Sequence, residues 1–503
     1  MIFMTVYRTV ARLMTEDTQS KDRTAESDTG RPSVSRRRFV GAVGATGLAT
    51  GLGVGSVSGQ EAVTLQVAAS EEEADHSDEI EQALYDAGMP DHIEIDWLAG
   101  GEIADDRRAQ YQQWLAAGRS EPDLLRMDNG WTIPFIEREQ LLNLSEELDD
   151  DELSTIEDEY FEMVVRTAQG QDGDIYGVPA WIGIPTMQYR KDLVEDAGYD
   201  PDGEDWATES LTWEEFSQVV ADVLEQNDDI EHGYTFQADR YEGLSCCNFN
   251  EFITSWGGAY HGGSEYLFGP VGDRPVTVNE EPVHNAIRMV QQFIHGEHDG
   301  DDDTLEGYAG EIAPVSVLEW TEESSAAPFA NGNAVAHRNW PFFVGRHGDE
   351  EFFGEDLGVM PIPYAVTEDE AEYPGTGGPT AALGGQHMTV NPNTENVEEA
   401  LEMIRAIMSD EFNLTIFEVL GHIPPKPSVL ESEEAADVPQ MGRYVDSFRV
   451  GGENAMPRPV TVVWPDQSTA IADQANTALA MNETAENAMA GLEETLLAIE
   501  ESV

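Results

Sequence analysis

The sequence predicts an α/β architecture divided between at least two lobes, and three observations carry that prediction. Short apolar segments recur with helical segments between them, in the strand–helix–strand order that builds an open sheet. The chain has 503 residues, 40% of them hydrophobic, whereas one core rarely grows beyond roughly 250–300 residues. No internal repeat is visible that would point to a solenoid instead.

Val63-Thr-Leu-Gln-Val-Ala alternates as a half-buried strand, a helical stretch follows near Glu79–Ala87, and Ile93-Glu-Ile-Asp-Trp97 alternates again. Arg107–Ala117 reads as a helix and Pro122–Asp128 as a third strand. Ligands of open α/β sheets sit beyond the carboxyl ends of the strands, and Asp128, Asn129 and Trp131 stand at such an end. Gly177–Trp181 leads into a further extended segment, Thr186–Arg190. Thr212 with Glu215 forms a capping box for a helix to about Leu224. A helix over Val283–His295 precedes an acidic loop, and Ala334–His337 and Gly358–Pro363 read as strands. Asn396 with Glu399 is expected to cap a helix to about Met408, and a second helix, Glu411–Leu420, to stop at Gly421. An amphipathic helix near Ala485–Ile499 closes the chain.

The balance of 99 acidic against 26 basic residues leaves a net charge of −73, and Lys21, Lys191 and Lys426 are the only lysines. Such charge repels itself across a compact fold in dilute buffer. At molar salt the Debye length falls to about 3 Å, so the repulsion is screened. Acid enrichment spread along the whole chain therefore points to adaptation to molar salt. The absence of basic stripes excludes nucleic-acid binding.

Arg36-Arg37-Arg38-Phe39 precedes a short stretch of small apolar residues, Gly41–Val57. This pattern describes a signal peptide cut near Ser58 or Gly59, and Arg36 with Arg37 points to the twin-arginine route. Residues 1–59 are thus expected to be an N-terminal extension and signal, with Met14 as an alternative start. The stretch is too short and too rich in glycine for a membrane anchor.

The two cysteines, Cys246 and Cys247, are adjacent. They either close a vicinal disulfide in an oxidising exterior or remain two thiols. CxxC spacing is missing, and so are a phosphate-binding GKS or GKT and an HExxH pair, so neither a cofactor nor a metal is expected. His295 and His298 are not spaced as helical ligands. With so many carboxylates, a glycosidase pair is not excluded by inspection. More informative are aromatics interleaved with planar polar groups in glycine-rich turns: Trp256-Gly-Gly258, Asn339-Trp-Pro-Phe342, Leu383-Gly-Gly-Gln386 and Arg458–Trp464. A sugar offers C–H faces to aromatic rings and hydroxyls to carboxylates, amides and guanidinium forks.

An ordered set of landmarks runs through the chain: Arg126-Met-Asp128-Asn-Gly-Trp131, Tyr176-Gly-Val-Pro179 with Tyr189–Leu193, Thr212–Phe216, Tyr241–Leu244, Phe329–Asn333, Arg338–Pro341, Leu383–Gly385 and Pro457–Pro459. In these motifs, over roughly Asp105–Ala480, the chain resembles the extracellular solute-binding proteins of ABC sugar importers, especially the archaeal trehalose/maltose-binding branch. The resemblance implies a periplasmic-binding-protein-like fold, two α/β lobes joined by crossing hinge segments with a ligand cleft between them. By that analogy the chain crosses near Pro179–Ile184, returns near His337 and crosses again near Leu383. Residues 60–181 with 337–382 then form the N-terminal lobe, and 182–336 with 383–503 the C-terminal lobe.

The resemblance carries over Asp128, Trp181, Tyr241, Trp340, Gly384 and Arg458 as ligand-binding residues, with Arg107 or Arg108 as a further sugar-contacting arginine. In this assignment Asp128 accepts from hydroxyls, Arg458 donates in fork geometry and Trp340 stacks on a ring. Two departures alter the pocket. Gly183 stands where a sugar-binding carboxylate is expected, and Gln386 where a tryptophan is expected. The expected function is capture of a sugar outside the cell, without catalysis, by a monomer that docks on a membrane permease. The alternatives are a non-sugar solute (a polyol, a peptide or glycerol phosphate) on the same fold, and a secreted hydrolase. Asn143, Asn413 and Asn482 begin glycosylation sequons.

Overall fold

A computed structural model describes residues 62–100, 104–296 and 304–502. The paired arginines, the apolar stretch and the expected cleavage point lie outside these residues, as do His298 and residues 299–303 of the acidic loop. The strands among the described residues are β1 (Val63–Ala69), β2 (Ile93–Ala99), β3 (Leu124–Asp128), β4 (Gly177–Gly183), β5 (Thr186–Arg190), β6 (His232–Thr235), β7 (Ala334–Asn339), β8 (Leu357–Met360), β9 (Ala381–Ala382), β10 (Gly384–Val390) and β11 (Ala455–Met456). The longer helices are α1 (Ser77–Asp86), α2 (Ala104–Ala116), α3 (Trp213–Gln226), α4 (Glu281–His295), α5 (Val397–Ile407), α6 (Asp410–Leu420), α7 (Trp464–Leu479) and α8 (Ala485–Glu500).

Two main sheets form. The first has the order β2-β1-β3-β10-β4, with β1 parallel to β2 and β3 and β10 antiparallel to β3 and β4. The second has the order β6-β7-β5-β8, with β5 antiparallel to both neighbours. β9 and β11 pair separately. Each sheet has its own core. Ile80 and Leu84 of α1, Ile404 of α5 and Ile416 of α6 pack with Leu65, Val178 and Met388 of the first sheet, while Tyr111 and Leu115 of α2 cluster with Leu125 and Met127 of β3. Around the second sheet, α3, α4, α7 and α8 bury Trp213, Phe293, Ile471 and Leu492.

The chain passes from the first sheet to the second between Gly183 and Thr186, returns at Leu383 between β9 and β10, and passes over again after Gly421, where Ile423 bridges to Ile182. No return occurs near His337. Residues 337–382, expected in the first lobe, instead supply the end of β7 and all of β8 to the second sheet, and β10, expected in the second lobe, lies between β3 and β4 of the first. The reason is that β7 and β10 are both almost wholly buried. An apolar pattern reports burial without naming the partner sheet. His337 bonds to Thr235 of β6, at 2.8 Å between Nδ1 and Oγ1, whereas His387 of β10 sits between Thr132 (2.8 Å) and Thr167 (3.1 Å).

Local signals fare unevenly. Thr212 Oγ1 accepts from the Glu215 N–H at 3.2 Å while Glu215 accepts from the Thr212 N–H at 2.9 Å, completing the capping box that starts α3. α6 ends at Gly421 with φ +66°, a left-handed turn that glycine adopts without side-chain strain. Asn396 makes no side-chain cap on α5. Its amide donates instead to Asp123 Oδ1 at 3.1 Å, a buried carboxylate that also takes the Thr394 hydroxyl. A tertiary acceptor for the amide has drawn the side chain away from the N–H donors of its own helix.

Candidate ligand-binding cleft

The first lobe presents a row of side chains where three strands end. Gln386, near the start of β10, is in register with Asp128 at the end of β3 on one side and with Trp181 of β4 on the other. Antiparallel partners directly opposite each other share a sheet face, which places the three in one row. Gly385 (φ +121°) makes the row possible: a Cβ there would stand 2.5 Å from the Trp181 carbonyl oxygen. Trp181 is backed by His422, just after α6, at 4.1 Å between ring centroids and 17° between planes.

The second lobe supplies the facing wall. Trp340 follows β7 and lies against the two crossing segments, so that a Cβ on Gly384 would come within 3.0 Å of its ring. The guanidinium of Arg338 stands 5.0 Å from the Trp340 ring centroid and is itself held by Glu251. Tyr241 donates its hydroxyl to Glu322 Oε1 at 2.8 Å. Burial, with Glu322 beside it, pushes the Tyr241 phenol above its ordinary value, so the hydroxyl keeps its proton. Cys246 and Cys247 follow in the single wide turn Leu244–Asn248, joined in a vicinal disulfide, and line the cleft. Of the two expected states the structure holds the disulfide, and no cysteine among the described residues is free.

Arg458 ties the two lobes together. Its guanidinium donates to Asp128 Oδ1 at 2.9 Å and Asn129 Oδ1 at 3.2 Å on the first lobe, and to Glu242 Oε1 at 3.1 Å on the second. Glu242 Oε1 also accepts from the Trp464 indole at 3.3 Å. The main chain at Gly130 lies so close that a Cβ would stand 2.6 Å from the guanidinium carbon.

These groups enclose a cavity of about 470 Å³, within the roughly 300–1,000 Å³ typical of small-molecule sites. Of the residues singled out in the sequence, Arg107, Asp128, Trp181, Tyr241, Trp340, Gly384, Gln386 and Arg458 all line it. Arg108 does not. One step along α2 turns a side chain by about 100°, and Arg108 lines a separate small pocket with Trp131 and Trp464. Sequence reasoning missed Ser70, Glu242, Glu322 and His422, which also line the cleft. Glu242 had a signal, standing beside Tyr241 in its motif; Glu322 and His422 had none, since they follow an ordinary cap and an ordinary helix stop. Gly183 brings no side chain to the cleft, and a Cβ there would make ordinary contacts of 3.5–3.6 Å with Trp340, Gly384 and Trp181. Of the two histidines near the acidic loop, His295 bonds to the Leu479 carbonyl at 3.0 Å, a packing role away from the cleft.

Residues 99–443 match the family described as bacterial extracellular solute-binding protein. A probable ABC transporter-binding protein of Deinococcus radiodurans is 27% identical over 71% of this chain and 74% of its own length. An arabinooligosaccharide-binding protein of Halalkalibacterium halodurans is 21% identical over 68% of this chain and 65% of its own length. Among solved structures, the maltose-bound MalE3 of T. maritima superposes with a TM-score of 0.65 at 24% identity, covering 86% of this chain and 99% of that one. The GacH receptor of Streptomyces glaucescens, solved unliganded and with acarbose, superposes with a TM-score of 0.64 at 17% identity, covering 88% and 100%. At these identities the structural likeness establishes the two-lobed fold.

Proposed function

The chain belongs to the bacterial extracellular solute-binding protein family, and from that premise we propose that its cleft captures a sugar, a di- or oligosaccharide, and delivers it unaltered to an ABC-type importer. The observation that carries this reading is the lining. Trp181 and Trp340 face the cavity from opposite lobes, and between them stand acceptors (Asp128, Glu242, Glu322) and donors (Arg107, Arg458, Gln386). Aromatic faces take the C–H surface of a pyranose, and the alternating donors and acceptors take its ring of hydroxyls. The names of the relatives and neighbours, with arabinooligosaccharide, maltose and acarbose among them, support the same class.

Closure of the lobes about the crossing segments at 183–186, 383 and 421–423 brings the two walls onto the ligand, and the closed form docks on the permease. The protein works as a monomer, exported by the twin-arginine route and adapted to molar salt. The paired Arg36 and Arg37 support the export route, and the net charge of −73 supports the adaptation to salt. Gly183, where the resemblance expects a carboxylate, removes one acceptor of sugar hydroxyls from the cleft wall. A non-sugar solute is the second reading it supports.

Calorimetric titration of the mature chain in multimolar salt, against maltose, trehalose, arabinobiose and their monosaccharides, tests the proposal. One-to-one binding at micromolar or tighter affinity with no product formed supports it. Silence across the panel from folded protein, with binding of a polyol or peptide, replaces it by the second reading.

A further inference from the structure

A buried ion pair lies beneath the first-lobe wall of the cleft. Glu73, 1% exposed, sits in the short helix Glu71–Asp75 that follows β1, and its carboxylate pairs with the guanidinium of Arg126, 6% exposed, on β3. The other carboxylate oxygen accepts from the backbone N–H and the hydroxyl of Ser70, both at 3.1 Å. Arg126 Nε in turn donates to Gln386 Oε1 at 3.2 Å. Taking two charges out of water carries a desolvation penalty that their mutual attraction does not always repay. Packing alone would be served as well by an apolar pair, so the ions are to be read by what they orient.

An arginine has five N–H donors and no acceptor. It therefore holds the Gln386 amide in one sense only, with the oxygen turned inward to Arg126 and the –NH2 group away from it. Gln386 lines the cleft, flanked in register by Asp128 and Trp181. Asp128 accepts and Trp181 offers a ring face. The amide between them is thereby left with donors alone for a ligand. A glutamine without Arg126 could present either end, and the position would not discriminate.

We propose that Gln386 is a one-way hydrogen-bond donor to an oxygen of the bound sugar, with Arg126 and Glu73 as the residues that position it. The inference rests on the sugar-binding reading above. It assigns to Gln386, where the resemblance expects a stacking tryptophan, a polar contact that demands an acceptor oxygen at one place on the ligand.

The test takes whichever of maltose, trehalose or arabinobiose the full-length mature chain binds, with its set of monodeoxy analogues, and titrates them against the wild type, Gln386→Glu, Gln386→Leu and Arg126→Lys. Gln386→Glu keeps the shape and lacks the donors, which guards against a loss caused by misfolding. Both Gln386 variants are expected to bind about tenfold more weakly, the measure of one hydrogen bond. For one analogue the deoxy penalty seen in the wild type should vanish in Gln386→Leu, a coupling that a merely structural role would not produce. Arg126→Lys retains the charge opposite Glu73 but not the fork, and should lose about threefold. If the wild type binds a sugar and both Gln386 variants match it within twofold, or every deoxy penalty persists unchanged in Gln386→Leu, this inference falls and the sugar reading stands. If the wild type binds no sugar, both fall together.

Discussion

Arg338 is the residue whose removal tests the architecture most sharply. Its guanidinium is 1% exposed and makes a fork with Glu251, itself 2% exposed, through Nε at 2.8 Å and Nη2 at 2.5 Å. Nη1 donates to Gln237 Oε1 at 3.0 Å, and the group stands over the Trp340 ring. Arg338→Met keeps the bulk of the stem and deletes the charge. Glu251 would then retain only the Ala382 N–H at 3.0 Å as a donor in a buried site. Breaking a buried pair by removing one partner costs about 3–5 kcal/mol, because the remaining charge has nothing to compensate it. Most of that cost comes from the stranded carboxylate, so the double variant Arg338→Met with Glu251→Gln should recover the larger part. Raising the salt should stabilise wild type and variant alike and leave the difference between them unchanged, since screening acts on exposed charge. Denaturant unfolding of wild type, both single variants and the double, at two salt concentrations, measures this. A loss below about 1 kcal/mol for Arg338→Met, or a double variant no more stable than the single, would refute the reasoning. The same variant should bind its ligand more weakly, because Trp340 loses the cation that holds its ring, an interaction of about 0.5–2 kcal/mol.

Trp340→Ala and Asp128→Ala should each weaken sugar binding by more than tenfold with little change in the unfolding midpoint; unchanged affinity in both would move the site elsewhere. Burial pushes the imidazoles of His347 and His387 down to about 3, below an unfolded value of about 6.5. Their contribution to stability is therefore complete above pH 6.5 and is lost as pH falls from there towards 3, at up to about 1.4 kcal/mol per pH unit for each. His387→Gln should flatten that slope over the same window, read from unfolding at several pH values. Cys246 and Cys247 should take up no iodoacetamide in the denatured, unreduced protein and two equivalents after reduction, as read by intact mass. Labelling without reduction would show two thiols.

Much of the local structure is written in the sequence by itself, since its causes lie within a few residues. The alternation at Val63–Ala68 and Ile93–Trp97, the Thr212–Glu215 capping box and the stop at Gly421 are short-range effects, and each forms where its pattern stands. The acidic balance is likewise a property of composition. The cleft residues were legible differently, through ordered motifs, and Arg107 was separated from Arg108 only once the turn of α2 was fixed against β3. Tertiary structure alone decided which sheet each buried strand joined. β7 and β10 carry the same kind of apolar pattern, and long-range contacts, Thr235 to His337 and Thr132 with Thr167 to His387, separate them. It also decided that Asn396 would serve Asp123 rather than its own helix, that Arg458 would join Asp128 to Glu242 across the cleft, and that Glu73 would reach Gln386 through Arg126. These pairings span up to hundreds of residues of chain. Their geometry exists only when both sheets are in place, and no window of sequence contains it.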